Sequence, residues 1–339
     1  MKRFFCQCGQ EVFFDSRYCQ ACQLAVGYDP NKAMILSLEP GGDNTWVSTL
    51  DRTQYHLCDN GRLHGVCNGL IEAENASSTN KLCVACSLNR TIPDLSKEGN
   101  LFHWNSIEQA KRRLIYGLLQ LGLPLNAPVS AYPMGLAFDF LEDQRSNPNM
   151  PEEFVITGHR NGVITLNILE ADEVQRAWQK QLNFERYRTV LGHLRHEAGH
   201  YYFELLVGDQ QNFAAVFGDP QLPYEKALQN YYQNGPLDGW QQSYISAYAG
   251  AHPLEDWAEC FAHLLHVCDT LETAIARGVL PPVEEPMDVD TLLSSWDRLA
   301  VTLNELNRSL GLADAYPFVV APTIAEKFRY IHGRIRQIV

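Results

Sequence analysis

Eight of the ten cysteines fall before residue 90, most of them in closely spaced pairs. Cys6-x-Cys8 is followed by Cys19-x-x-Cys22, and Cys58 and Cys67 are followed by Cys83-x-x-Cys86. The first residues, Met1 to Cys8, lack the apolar run of a signal peptide, so a reducing, cytoplasmic setting is expected. There, clustered thiols favour metal over disulfide. Four thiolates around one ion make a closed tetrahedral site with no position left for water, which is a structural zinc site. The sequence therefore predicts two such sites, Cys6, Cys8, Cys19 and Cys22 in one and Cys58, Cys67, Cys83 and Cys86 in the other. His56 and His64 stand near enough to replace one sulfur of the second. A region this poor in aliphatic residues needs such staples; Phe13, Phe14 and Tyr18 are the expected seed of its small core.

The chain has 339 residues and a formal net charge of -13. That length suggests two domains, and that charge argues against nucleic-acid binding and against anionic membranes. In residues 1–98 acidic side chains slightly outnumber basic ones, with no basic stripe interleaved with aromatics. The ribbon is thus expected to be a folding or protein-binding module. No apolar run is long enough to span a bilayer.

Past the cysteines the pattern becomes helical. Tyr187 to Val207 reads as one helix, with Tyr187, Leu191, Leu194, Ala198, Tyr201 and Leu205 on one stripe. His196 and His200 are four apart and leave this helix on one side, where two imidazoles can share a zinc. Glu197 lies between them and can take a proton from a zinc-activated water as it attacks a carbonyl. Gly192 and Gly199, seven apart, each cost the helix about 1 kcal/mol relative to alanine. The cost makes sense if something approaches the backbone closely there.

A catalytic zinc needs a third protein ligand and an open position. Pro253 suits a first helical position, and Leu254 to Cys268 reads as a second helix with Glu255 and Glu259 one turn apart. The economical assignment makes Glu255 the ligand and Glu259 the carboxylate that orients a ligand histidine. Cys260 and Cys268 read as buried thiols.

Elsewhere, Ser106 to Leu121 is expected to be helical, with Lys111, Arg112 and Arg113 as its solvated flank. Leu136 to Leu141 and Glu153 to Thr157 are strand candidates. Asn161-Gly162 before Val163 to Ile168 is a hairpin signal, and a strand just ahead of the metal helix could pair with an extended peptide. Leu292 to Leu310 and Ile324 to Ile338 are amphipathic helices, the latter with Lys327, Arg329, Arg334 and Arg336 on its wet side.

His196-Glu197-x-x-His200 followed by Glu255-Asp256-Trp257-Ala258-Glu259 resembles the glutamate-type zincins, the gluzincins, including the anthrax lethal factor type. With Tyr187-Arg188-Thr189, Leu191-Gly192-His193, Phe217-Gly218-Asp219 and Ile245-Ser246-Ala247-Tyr248-Ala249 ahead of His252-Pro253, the chain is more similar still to bacterial zinc-binding metallopeptidases that carry an N-terminal zinc ribbon. The resemblance implies an α+β fold. A zincin-like core, a small sheet with an active-site helix and a helical lobe, would fill 99–339, and the cysteine-rich ribbon 1–98. It also implies that Tyr248, seven residues before Glu255, stabilises the oxyanion. Expected cofactors are one catalytic and two structural zinc ions, and the expected partner is a peptide or protein substrate. The competing reading is a non-catalytic interaction module that zinc only stabilises.

Overall fold

The structure, a computed structural model, describes residues 1–75, 81–126, 135–146, 154–182, 188–283 and 287–338. Tyr187, Glu153 and part of the proline-rich stretch before Asp290 lie outside them.

The first cysteine quartet is built on two small antiparallel sheets. Strands β1 (Phe4–Phe5) and β2 (Glu11–Val12) pair Phe4 with Val12. Then β3 (Ala25–Asp29), β4 (Met34–Pro40), β5 (Trp46–Ser48), β6 (Gln54–Leu57) and β7 (Leu70–Glu72) follow as a meander in chain order. A one-turn helix, α1 (Asp59–His64), lies between β6 and β7. Phe4, Val12, Phe14, Val26, Tyr28 and Ile35 form the local core. Phe13 and Tyr18, expected inside it, are mostly exposed. Both lie in the connection between β2 and β3, and the core is filled instead by Phe14 and by residues of β1 to β4.

That core closes on Tyr116 of α2 (Asn100–Gln120). The helix starts six residues before Ser106 and carries Ile107, Ala110, Leu114 and Leu118 inward. Lys111 and Arg112 are not solvated. Lys111 is fully buried, with Nζ 2.9 Å from Glu108 Oε1 and bonded to Asn89. Arg112 is buried against Asn68 and Asp15. Only Arg113 keeps much solvent contact. The helix is covered on both sides, so its cations are buried and must be paired. One large apolar cluster holds Cys58, Cys67, Cys83 and Cys86 together with Trp104, Leu114, Phe138 and the helices that follow.

A third, four-stranded sheet runs β10 (Gly158–Arg160), β11 (Val163–Asn167), β9 (Ala137–Leu141), β8 (Asn89–Thr91). β9 is parallel to both neighbours, and β10 is an antiparallel edge. Asn161 and Gly162 both have positive φ, 50° and 82°, which gives the two-residue hairpin turn. Residues 154–157 are not strand; pairing begins at Gly158. Val155 is taken by side chains instead: its N–H donates to Asp143 and its carbonyl accepts from Arg145 and Asn167.

After α3 (Glu173–Leu182), Thr189 caps α4 (Val190–Leu206) through its hydroxyl. Helices α5 (Gln210–Phe217) and α6 (Tyr224–Asn234) lead to α7 (Pro253–Ala276), with His252 as its cap. α4 and α7 lie against each other: a Cβ on Gly199 would meet Ala258 Cα at 2.8 Å, and the Gly199 carbonyl accepts from Trp257 Nε1 at 2.8 Å. Cys260 is buried and Cys268 half-buried. Helices α8 (Val289–Ser309) and α9 (Pro322–Arg336) back α7. On α9, Lys327 is buried and ion-paired to Asp256 at 2.6 Å, so it does not belong to the wet side. The α+β class and the N-terminal cysteine-rich ribbon expected from sequence are both present. Among the described residues, no helix is long and apolar enough to cross a membrane.

Candidate metal centre

The α4–α7 pairing decides which side chains meet. Glycine at 199 lets the helices close until α7 presents its first turn to the histidine face of α4. His196 Nε2 and His200 Nε2 stand 3.2 Å apart. Glu255, fully buried, places Oε2 3.1 Å from His196 Nε2 and Oε1 3.5 Å from His200 Nε2. The three groups offer ligand atoms within 4.8 Å of one another.

These residues fit a metal ion. Glu255 Oε2 is buried with no hydrogen bond, which is costly for a carboxylate oxygen unless a cation answers it. The facing nitrogens, His196 Nε2 and His200 Nε2, converge on the same point. Two neutral rings with their lone pairs turned to one point repel unless something positive lies between. One carboxylate and two imidazoles suit zinc.

Around this trio, Glu259 Oε1 lies 2.7 Å from His196 Nδ1. Burial works to raise the Glu259 pKa, but the contacts to His196, His263 and Ser246 outweigh it, and the group stays ionised. Glu197, next to His196 on α4, is buried. Tyr248, in the turn 248–251 ahead of α7, sets its ring 6.0 Å from that of His196. Burial, then the Glu255 carboxylate, pushes its pKa up, so it is a protonated donor at neutral pH.

Sequence reasoning missed Tyr224, whose hydroxyl donates to Glu255 Oε1 at 2.5 Å. Its place in a tyrosine-rich run was visible; its partner, 31 residues away, was not. His252 and Asp256, neighbours of Glu255, face elsewhere. His252 Nδ1 accepts from the Leu254 N–H, and Asp256 is held by Lys327. Arg195 runs behind the site to His266 and Asp269 of α7. His193 lies 3.3 Å from Glu170.

The cysteine sets close as two separate groups, each with four sulfurs within 4.8 Å of one another. In the first, Cys6 lies 3.5 Å from Cys22 and Cys8 3.6 Å from Cys19, with Cys8 and Cys22 exposed. In the second all four are buried, and Cys67 and Cys83 are 3.6 Å apart. A side chain on Gly69 would strike Cys83 Sγ at 2.5 Å. None of these eight forms a disulfide. His56 is turned to Lys81 and His64 to Trp104.

Residues 100–334 match the family described as "Putative zinc-binding metallo-peptidase", and residues 3–97 match a zinc-ribbon domain family. Proteins of Mycobacterium bovis and of Mycobacterium tuberculosis, both described as uncharacterized, are 37% identical over 350 aligned positions. These alignments cover 100% of this chain and 96% of theirs. No solved structure matches the chain.

Proposed function

The chain belongs to the family of zinc-binding metallo-peptidases, with a zinc ribbon at its N-terminal end, and from that premise we propose that it hydrolyses peptide bonds in the gluzincin manner. The observation that carries the reading is the unanswered Glu255 oxygen beside two converging imidazoles. His196, His200 and Glu255 would hold the catalytic zinc, which as a Lewis acid acidifies water and polarises the scissile carbonyl. Glu197 takes the proton from the attacking water and passes it to the leaving amine. Tyr248 donates its hydroxyl to the oxyanion. Glu259 holds His196 in the tautomer that leaves Nε2 free. The strand just ahead of the metal helix, β11, is paired on both sides, so an extended substrate would add instead at the edge strand β10.

In this reading residues 1–98 are the ribbon, with one zinc in each cysteine set, and 99–339 the catalytic domain. Eight clustered cysteines that form no disulfide suit a cytoplasmic enzyme. Elemental analysis combined with cleavage of a peptide library tests the proposal. Three zinc ions and cleavage lost in Glu197→Gln support it. Two zinc ions, unchanged in His196→Ala, and no cleavage would replace it with the interaction module.

A further inference from the structure

Helix α6 has no fully buried residue, and only Ala227, Leu228 and Tyr231 are half-buried, so little apolar surface holds it to the body of the protein. A helix of that kind owes its place to specific contacts, and here these are made by tyrosines at the candidate metal centre. Tyr224 donates to Glu255 Oε1, with its ring edge-on to His252 at 5.1 Å. Two turns along, the Tyr231 ring meets the Tyr248 ring edge-on at 5.6 Å.

The two oxygens of Glu255 are thereby made unequal. Oε1 has a hydroxyl donor, whereas Oε2 is buried without one and faces His196 Nε2 at 3.1 Å. A carboxylate ligand whose second oxygen is hydrogen-bonded is fixed in orientation and does not swing to offer both oxygens. Resting on the metallopeptidase reading, we propose that Tyr224 is a positioning residue for the metal. Its hydroxyl commits Oε1 and turns Oε2 to the ion, and the same bond latches α6 to the site. The tyrosines that surround Tyr248 are thus coupled to the metal-binding carboxylate through one hydrogen bond.

The test is Tyr224→Phe in the full-length, zinc-loaded chain. The ring stays to pack on His252 and only the hydroxyl is lost. Competition with a chromogenic chelator measures the affinity of the zinc lost in His196→Ala. Hydrogen exchange follows α6 and α7. Loss of a partner that orients a ligand costs about 10–100-fold in metal affinity, and that fall is expected here, with faster exchange in α6 and none in α7. An affinity equal to that of the wild type overturns the positioning role while the metallopeptidase reading stands. A fall in affinity with unchanged α6 exchange keeps the positioning role and overturns the latch. If His196→Ala binds as much zinc as the wild type, the metal site itself is wrong, and the failure lies in the reading beneath.

Discussion

Gly199→Ala adds one methyl group where α4 and α7 are closest. The new Cβ would lie 2.8 Å from Ala258 Cα and 3.0 Å from the Ala258 carbonyl oxygen, and ordinary contact begins at 3.4 Å. Both obstacles are helix backbone, so α7 must retreat by about 0.6 Å, because a close-packed interior offers no slack. Overpacking of this kind costs about 1–3 kcal/mol, while alanine in place of glycine returns about 1 kcal/mol of helix propensity. Gly333→Ala separates the two effects. It lies within α9, and a Cβ there meets nothing within 4 Å, so it should show the propensity gain alone. The difference between the two variants is then the steric cost. At about 2–4 °C per kcal/mol, Gly199→Ala should melt several degrees below Gly333→Ala. Glu255 is three residues before Ala258 on the same helix and should withdraw from the histidines. A misplacement near 1 Å can cost about 10²-fold at an active site, so zinc at the candidate centre should weaken while the cysteine-bound metal stays. Calorimetry and zinc titration of both variants decide the matter. Equal melting temperatures with wild-type zinc retention in Gly199→Ala would refute the argument that this glycine sets the helix spacing.

Glu197→Gln should lose turnover and keep its zinc, because the carboxylate acts on water and is not a ligand; wild-type cleavage of a working substrate would remove it as base. Glu255→Ala should release the zinc of the candidate centre, whereas Glu259→Ala should retain it in excess metal with about 10–100-fold lower activity; metal analysis showing the reverse would exchange their roles. Lys327→Met leaves Asp256 buried without its cation and should cost about 3–5 kcal/mol, read as a shift in the urea midpoint; an unshifted midpoint would mean the pair contributes nothing. Burial works to raise the Glu170 pKa, but His193 and Arg188 outweigh it and hold the carboxylate at about 2, below its ordinary 4.5. Its stabilising effect is therefore complete above pH 4.5 and is lost as pH falls toward 2. Between these values the wild type should lose more stability than Glu170→Gln, and parallel acid-unfolding curves would contradict this.

The elements written in periodicity were legible. Helices α2, α4 and α7 form where the apolar spacing put them, with Leu194, Ala198 and Tyr201 of the α4 stripe buried but Leu205, at its end, exposed, and Asn161-Gly162 turns the hairpin. What failed to show was any property set by a distant partner. Lys111, Arg112 and Lys327 look like solvated cations along their own helices, yet Arg112 is bonded to Asp15, 97 residues earlier, and Lys327 to Asp256, 71 residues earlier. Val155 has strand composition, and side chains from Asp143, Arg145 and Asn167 claim its backbone first. Tyr224 belongs to the same class. Its chemistry was readable and its address was not.

The burial of the second cysteine set inside the main apolar cluster has a consequence for how the protein is made. Chains emerge N-terminal end first, so Cys58 to Cys86 leave the ribosome before Trp104, Leu114 and Phe138, the residues that later enclose them. Metal can enter through an open side during synthesis, and that side is then shut by α2 and β9. Cys8 and Cys22 stay exposed in the finished protein. The two cysteine sites, alike in their ligands, thus differ in access from solvent. An ion held at the first is therefore expected to exchange with a chelator from the folded protein, whereas one held at the second should be released only when the domain unfolds.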